Sequence, residues 1–273
     1  MKKIFHFAFL AMVVAAGFTS CTDDYSYDPA VKDATSTQAF LNTVDGASSY
    51  TYTPDMEQKL TIKVGRPDSA QAATIALSAD NSKFKVPATV SFAAGEGTKT
   101  VDVTFDMETG TSQDVCIALA PENAYRYGVD SLKLSIIRDY TWVKFKDKGL
   151  FTNTVLGPEK AQIVIAQAKE KPGLYKLYKP LTSIIKDQEL DPSVDTDYEV
   201  YVNPTDPKKS TFGPYWAGFA NATYGNVYHV ARSIAQEDNV ITIHCLLCVV
   251  YNGRFADLYD GLDDAWVITL PDE

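Results

Sequence analysis

Three kinds of side chain in this 273-residue sequence have the chemistry to act on a ligand or to hold one: imidazoles and thiols, clustered carboxylates, and a run of aromatic rings. Beyond the first twenty residues the histidines are His229 and His244, in the alternating apolar stretches Asn226-Val-Tyr-His-Val230 and Val240-Ile-Thr-Ile-His244. A general base must reach a substrate proton, so both read as core or sheet-face residues. Cys245-Leu-Leu-Cys248 has the spacing of a redox or metal pair, but Val240 to Tyr251 reads as one buried strand. Residues three apart on a strand point to opposite faces, which keeps the two sulfurs off a common metal. They and Cys116 are therefore expected to be structural thiols, with no pairing fixed by the sequence.

Carboxylates cluster at Asp187, Asp191, Asp195 and Asp197 and again at Asp257, Asp260, Asp263 and Asp264. Neither cluster has the glycine and closing glutamate of a calcium-binding loop, and aspartate favours turns, so both are expected to be solvated loops. Hydrolase elbows, zinc-binding helices, phosphate loops and dinucleotide fingerprints do not occur. No catalytic residue, cofactor or metal ligand is expected. The strongest candidates are the rings of Phe212-Gly-Pro-Tyr-Trp-Ala-Gly-Phe219, followed by Tyr224 and Tyr228. Flat rings beside glycine and proline can present a face to the C–H side of a sugar while Asn221 or Asp206 bonds its hydroxyls. Trp216, Tyr215, Phe219 and Tyr224 are the expected glycan contacts. The same rings would also fill a core, and the sequence leaves that alternative open.

Composition sets the frame for these residues. A chain that is 45% hydrophobic and 22% charged folds. Its formal charge of −10 excludes the phosphate-neutralising chemistry of nucleic-acid binding. From Gln38 onward, short alternating segments are punctuated by Gly, Pro, Asn and Asp, which is the pattern of an all-β chain. Lys59–Val64, Ala72–Leu77, Thr98–Phe105, Asp114–Leu119 and Ser131–Ile136 alternate as half-buried strands of a sandwich. Arg138-Asp-Tyr-Thr-Trp142 reads as a connector. Beyond it, Ala161–Ala168, Gly173–Leu177, Tyr198–Val202, Asn226–Val230, Val240–Tyr251 and Ala265–Leu270 supply a second β-rich unit.

Several segments resemble known families. Lys2-Lys3, an apolar run from Ile4 to Phe18 and the sequence Phe18-Thr-Ser-Cys21 resemble a bacterial lipoprotein signal, with Cys21 as the lipidated residue. Asp23 and Asp24 behind it are similar to the export signal of lipoproteins on the outer surface of Bacteroidetes-type bacteria. Val86 to Phe105, with Phe92 and Gly95, is similar to the central strands of Calx-β-like domains, where an Ala-Gly-Glu turn joins a hairpin. That resemblance implies an immunoglobulin-like sandwich. Of the acidic cluster that calcium-binding members carry, only Asp106 and Glu108 are present. Lys171-Pro-Gly-Leu-Tyr-Lys-Leu-Tyr-Lys-Pro180 resembles a segment of Bacteroides surface lipoproteins that place a Calx-β-like module before a second β domain; no activity comes with it. Asp68-Ser-Ala70 and Asp130-Ser-Leu132 resemble O-glycosylation tripeptides of the same bacteria.

The expected layout is a leader over 1–20, a lipidated tether over 21–37, a Calx-β-like sandwich over 38–140 and a second β-rich sandwich or barrel-like domain over 141–273. The expected function is non-catalytic: a lipid-anchored outer-membrane surface protein binding a polysaccharide or oligosaccharide. The alternative is a structural subunit that binds another surface protein, without a glycan ligand.

Overall fold

The computed structural model describes residues 37–187, 198–205, 212–260 and 262–272. Cys21, the leader, the tether up to residue 36, Asp191, Asp195, Asp197 and Asp206 lie outside the described residues. Among the described residues, nine strands form the first half: β1 (Phe40–Thr43), β2 (Ser49–Tyr52), β3 (Lys59–Gly65), β4 (Ala73–Ala79), β5 (Phe84–Lys85), β6 (Thr89–Phe92), β7 (Thr98–Phe105), β8 (Thr111–Leu119) and β9 (Ser131–Arg138). They make two sheets, ordered β1-β3-β7-β5 and β2-β9-β8-β4-β6. Alternation places Leu60, Ile62 and Val64 of β3 against Ile117, Ile136 and Val103 in one core, each such side chain contributing roughly 1.5–3 kcal/mol of burial free energy. The result is an all-β immunoglobulin-like sandwich.

The Ala93-Ala-Gly-Glu96 turn does not close a hairpin, contrary to expectation. β6 pairs with β4, while β7 pairs with β3 and β5, so the turn carries the chain from one sheet to the other. Gly95 takes φ +88° there, a region that favours glycine. The buried guanidinium of Arg66 holds the crossing, with Nε donating to the Glu96 carbonyl at 2.8 Å and the terminal nitrogens to those of Gln71 and Ala93 at 2.6 and 2.8 Å.

The second half contains β10 (Trp142–Lys144), β11 (Gly149–Asn153), β12 (Gly157–Ala168), β13 (Tyr175–Tyr178), helix α1 (Pro180–Asp187), β14 (Glu199–Val202), β15 (Tyr215–Asn221), β16 (Gly225–Glu237), β17 (Val240–Tyr251), β18 (Arg254–Asp257) and β19 (Asp264–Thr269). The sheet runs β14-β13-β12-β11-β19-β17-β16-β15, with β10 beside β12 and β18 beside β17. Its two ends meet. The Tyr198 hydroxyl donates to the Trp216 carbonyl at 2.6 Å, and the Tyr201 N–H donates to the Tyr215 hydroxyl at 3.1 Å. The sheet thus curls around a core of Phe151, Ile163, Ile165, Leu177 and Trp266, to which α1 adds Leu181 and Ile184. That short helix has no counterpart in the sequence expectation.

Asp264 corrects the reading of its cluster as a solvated loop. It is fully buried at the start of β19 and accepts hydrogen bonds from Asn153 Nδ2 at 2.9 Å and Thr154 Oγ1 at 3.3 Å. His229, also fully buried, places Nδ1 2.7 Å from the same carboxylate. A buried carboxylate is tolerated because donors surround it. Its neighbour Asp263 faces the other way and meets the half-exposed His244 at 2.8 Å.

Candidate functional site

Register brings the connector and the 171–180 segment to one place. In antiparallel ladders, directly paired residues share a face. Trp142 pairs with Ala168, Lys144 with Ala166, Ala166 with Lys176, and Lys176 with Tyr201. Tyr178 pairs with Glu199 on the same face. Tyr175 and Leu177 alternate inward to the core while Lys176 and Tyr178 point outward. The buried Ala166 and Ala168 beneath them leave room for the large side chains above.

The outer face is a lattice of rings and cations. The Lys176 ammonium lies 4.7 Å from the Trp142 ring centre, 5.2 Å from that of Tyr201 and 5.8 Å from that of Tyr178. Contacts of this kind are worth about 0.5–2 kcal/mol each, most when shielded from water. Glu199 Oε2 neutralises the ammonium at 3.0 Å and accepts the Tyr201 hydroxyl at 3.1 Å. The Asp139 carboxylate accepts the Trp142 indole N–H at 3.0 Å and the Tyr140 N–H at 2.7 Å. Tyr140 meets Trp142 edge to face, with ring centres 5.8 Å apart. On its other side Tyr140 lies against Gly110, which holds φ +80° and where an added Cβ would stand 2.2 Å from the phenol oxygen.

Between this face and the sandwich is a groove of about 440 Å³, within the range of ligand pockets. Trp142, Lys176, Glu199 and Tyr201 line it from the curled sheet; Thr51, Ser112 and Ile137, paired on one face, line it from the sandwich together with Thr111, whose hydroxyl donates to the Glu108 carbonyl at 2.6 Å. Arg138 also lines it, its guanidinium donating to the carbonyls of Thr53, Pro54 and Met56. Burial pushes the phenols of Tyr201, Tyr140 and Tyr178 up from the ordinary value, with nearby carboxylates adding to the rise at Tyr201 and Tyr140. They therefore stay protonated at neutral pH and can both donate and accept. Donors hold the carboxylates of Asp139 and Glu199, and the groove presents rings and hydrogen-bonding groups.

The rings singled out in the sequence are dispersed. Tyr215 stacks on Tyr198 at 5.3 Å, meets Phe212 edge to face at 4.9 Å, and helps to join the sheet's ends. Burial raises its phenol pKa. Trp216 is half-buried opposite Tyr228, and among the described residues its shielded indole N–H has no partner. Phe219 packs on a small separate core of Ala217, Val227, Leu247 and Val249. Tyr224 is exposed on the turn after β15, and Asn221 accepts the backbone N–H groups of Thr223 and Tyr224. Cys245 and Cys248 are buried and unpaired, and burial lifts both thiols above their ordinary value. Among the described residues no group of three or more His, Cys, Asp or Glu is placed to hold a metal, and no helix is long and apolar enough to cross a membrane. The groove was missed from sequence, although the connector and the 171–180 segment stood out separately.

No protein-family model matches the chain, and no curated protein does. Solved structures resemble it at low identity. A protein of unknown function from Bacteroides ovatus is 10% identical with a TM-score of 0.38, the match covering 86% of this chain and 98% of that one. An auxiliary nutrient binding protein from Bacteroides thetaiotaomicron is 10% identical with a TM-score of 0.33, covering 83% and 90%. The calcium binding domain CBD12 of CALX1.1 is 12% identical with a TM-score of 0.30, covering 55% and 86%. None of these likenesses assigns a ligand to this chain.

Proposed function

We propose that this protein captures a carbohydrate in the groove between its sandwich and its curled sheet, without chemistry, and that lipidated Cys21 holds it on the outer surface of the cell. The observation that carries the reading is the groove itself, where Trp142 and Tyr201 offer ring surface beside a neutralised Lys176–Glu199 pair. Thr51 and Ser112, both paired with Ile137 and so on one face of the sandwich, line the opposite side. Ring faces and convergent neutral or paired polar groups are what a polyol requires. Weak capture would suffice on a membrane that carries many copies.

The test is affinity electrophoresis of residues 22–273 through gels carrying starch, xylan, galactomannan, β-glucan and pectin, with Trp142→Ala and Trp216→Ala alongside. The reading expects retardation by one polysaccharide that Trp142→Ala weakens at least tenfold and Trp216→Ala does not. Equal retardation of Trp142→Ala and wild type would overturn the groove as the site. No retardation in any gel would favour the protein-partner alternative.

A further inference from the structure

The curled sheet continues past its main core. β19 covers β17 only from Val240 to Cys245, while β18 covers Cys248 to Tyr251. This far end has its own small core, with Phe219 and Leu258 packed against it. Two tight turns close it, Ala222–Tyr224 and Asn252-Gly253. Asn252 and Gly253 take φ of +50° and +73°, the left-handed turn that suits a hairpin between twisted strands. These fixed turns bring Tyr224 and Tyr251 together edge to face, with ring centres 6.4 Å apart and planes at 87°. Folding alone does not require them, because the rings are 51% and 59% exposed. The exposed Val250 and Phe255 pair with each other on the opposite face of β17 from Tyr251, so the two tyrosines make up the ring surface on their own side.

The surrounding chemistry narrows the occupant. Residues 215–228 carry no charge, and between Leu246 and Leu262 the charged residues are Arg254, Asp257 and Asp260. Anionic lipid and nucleic acid need clustered Lys and Arg, which the tip lacks. A stable protein partner takes about 800 Å² from each side; at half exposure the two tyrosines offer roughly 100 Å² each. A sugar chain needs only one ring face per residue, with amide or guanidinium donors nearby. Asn252 adjoins Tyr251, and Arg254 is its direct cross-strand partner.

We propose that this tip is a second carbohydrate contact, in which Tyr224 and Tyr251 stack on a neutral polysaccharide and Asn252 and Arg254 bond its hydroxyls. It rests on the carbohydrate reading of the ligand but not on the groove. Two contacts on one chain favour long polymers over short ones, because the second contact is made at high effective concentration.

The test uses residues 22–273 with Tyr224→Ala and Tyr251→Ala combined, Trp142→Ala, and all three together, on the same gels, with sedimentation velocity run in parallel. The exposed pair can be replaced with little effect on folding, which a thermal melt checks. The expected result is at least a tenfold loss of retardation in the tip variant and a further loss in the triple variant. A tip variant retarded like wild type overturns the proposal, as does a wild type that no gel retards. A wild-type dimer that the tip variant converts to monomer also overturns it, by showing a self-association face. Loss in the tip variant with none in Trp142→Ala supports the tip and removes the groove.

Discussion

Asp264→Asn keeps the shape of a buried side chain and removes its charge. Its two oxygens accept from Asn153 Nδ2 at 2.9 Å and Thr154 Oγ1 at 3.3 Å, and His229 Nδ1, which the Trp266 indole N–H also approaches at 3.2 Å, lies 2.7 Å away. An amide has one accepting oxygen, so its NH₂ must face at least one of these donors. The substitution loses a charge-assisted hydrogen bond of about 1.5–3 kcal/mol and leaves a buried donor unsatisfied at about 1–3 kcal/mol. The sum, about 2.5–6 kcal/mol, brackets the usual cost of about 3–5 kcal/mol for breaking a buried pair from one side. At about 2–4 °C per kcal/mol, the melting temperature should fall by about 10 °C. Trp142, Trp216 and Trp266 all lie in the second half of the chain, so tryptophan fluorescence during thermal unfolding reads that half alone. Asp260→Asn, at an exposed position of the same cluster, should change stability by less than about 0.5 kcal/mol. An Asp264→Asn melt within about 2 °C of wild type would refute the reasoning.

Arg66→Lys replaces a planar fork that serves several carbonyls with a single point of donation, and should cost about 2 kcal/mol; circular dichroism should register the loss while the tryptophan-detected melt stays put. Gly110→Ala forces a left-handed backbone on alanine at about 1–2 kcal/mol and drives a methyl into Tyr140; the melt should fall and retardation should weaken together. Burial lifts the phenols of Tyr198, Tyr201 and Tyr215 above the ordinary 10.0, so the folded chain keeps protons that the unfolded chain releases. Stability from these groups is whole below pH 10 and declines as pH rises through the folded values. A jump to strongly alkaline pH followed at 295 nm should show these phenols ionising only at the rate of unfolding.

Strands were legible wherever one face is buried. Lys59–Val64 and Thr98–Phe105 alternate in sequence and in structure, because a period of two is imposed by the pleat itself. The Ala93–Glu96 crossing was not legible, since the same turn residues serve a hairpin or a change of sheet, and distant pairing partners decide between them. Asp263 and Asp264 are one residue type at adjacent positions. Their opposite fates follow from His229 on one face and His244 on the other, which local sequence does not encode. The groove was half legible. Lys176 and Tyr178 alternate with Tyr175 and Leu177, which marks an outward polar-aromatic face, but its meeting with Trp142 depends on register through Ala166 and Ala168 of β12. Exposure of Tyr224 and Tyr251 depends likewise on how far β16 and β17 outrun their neighbours.

The most direct test of carbohydrate capture is a crystal structure of residues 22–273 with an oligosaccharide cut from the polysaccharide that retards the wild-type chain most. The account predicts sugar rings seated between Trp142 and Tyr201 on one wall and Thr51 and Ser112 on the other, with hydroxyls within hydrogen-bond distance of Glu199 or Lys176. Ordered sugar elsewhere on the chain and an empty groove would contradict it.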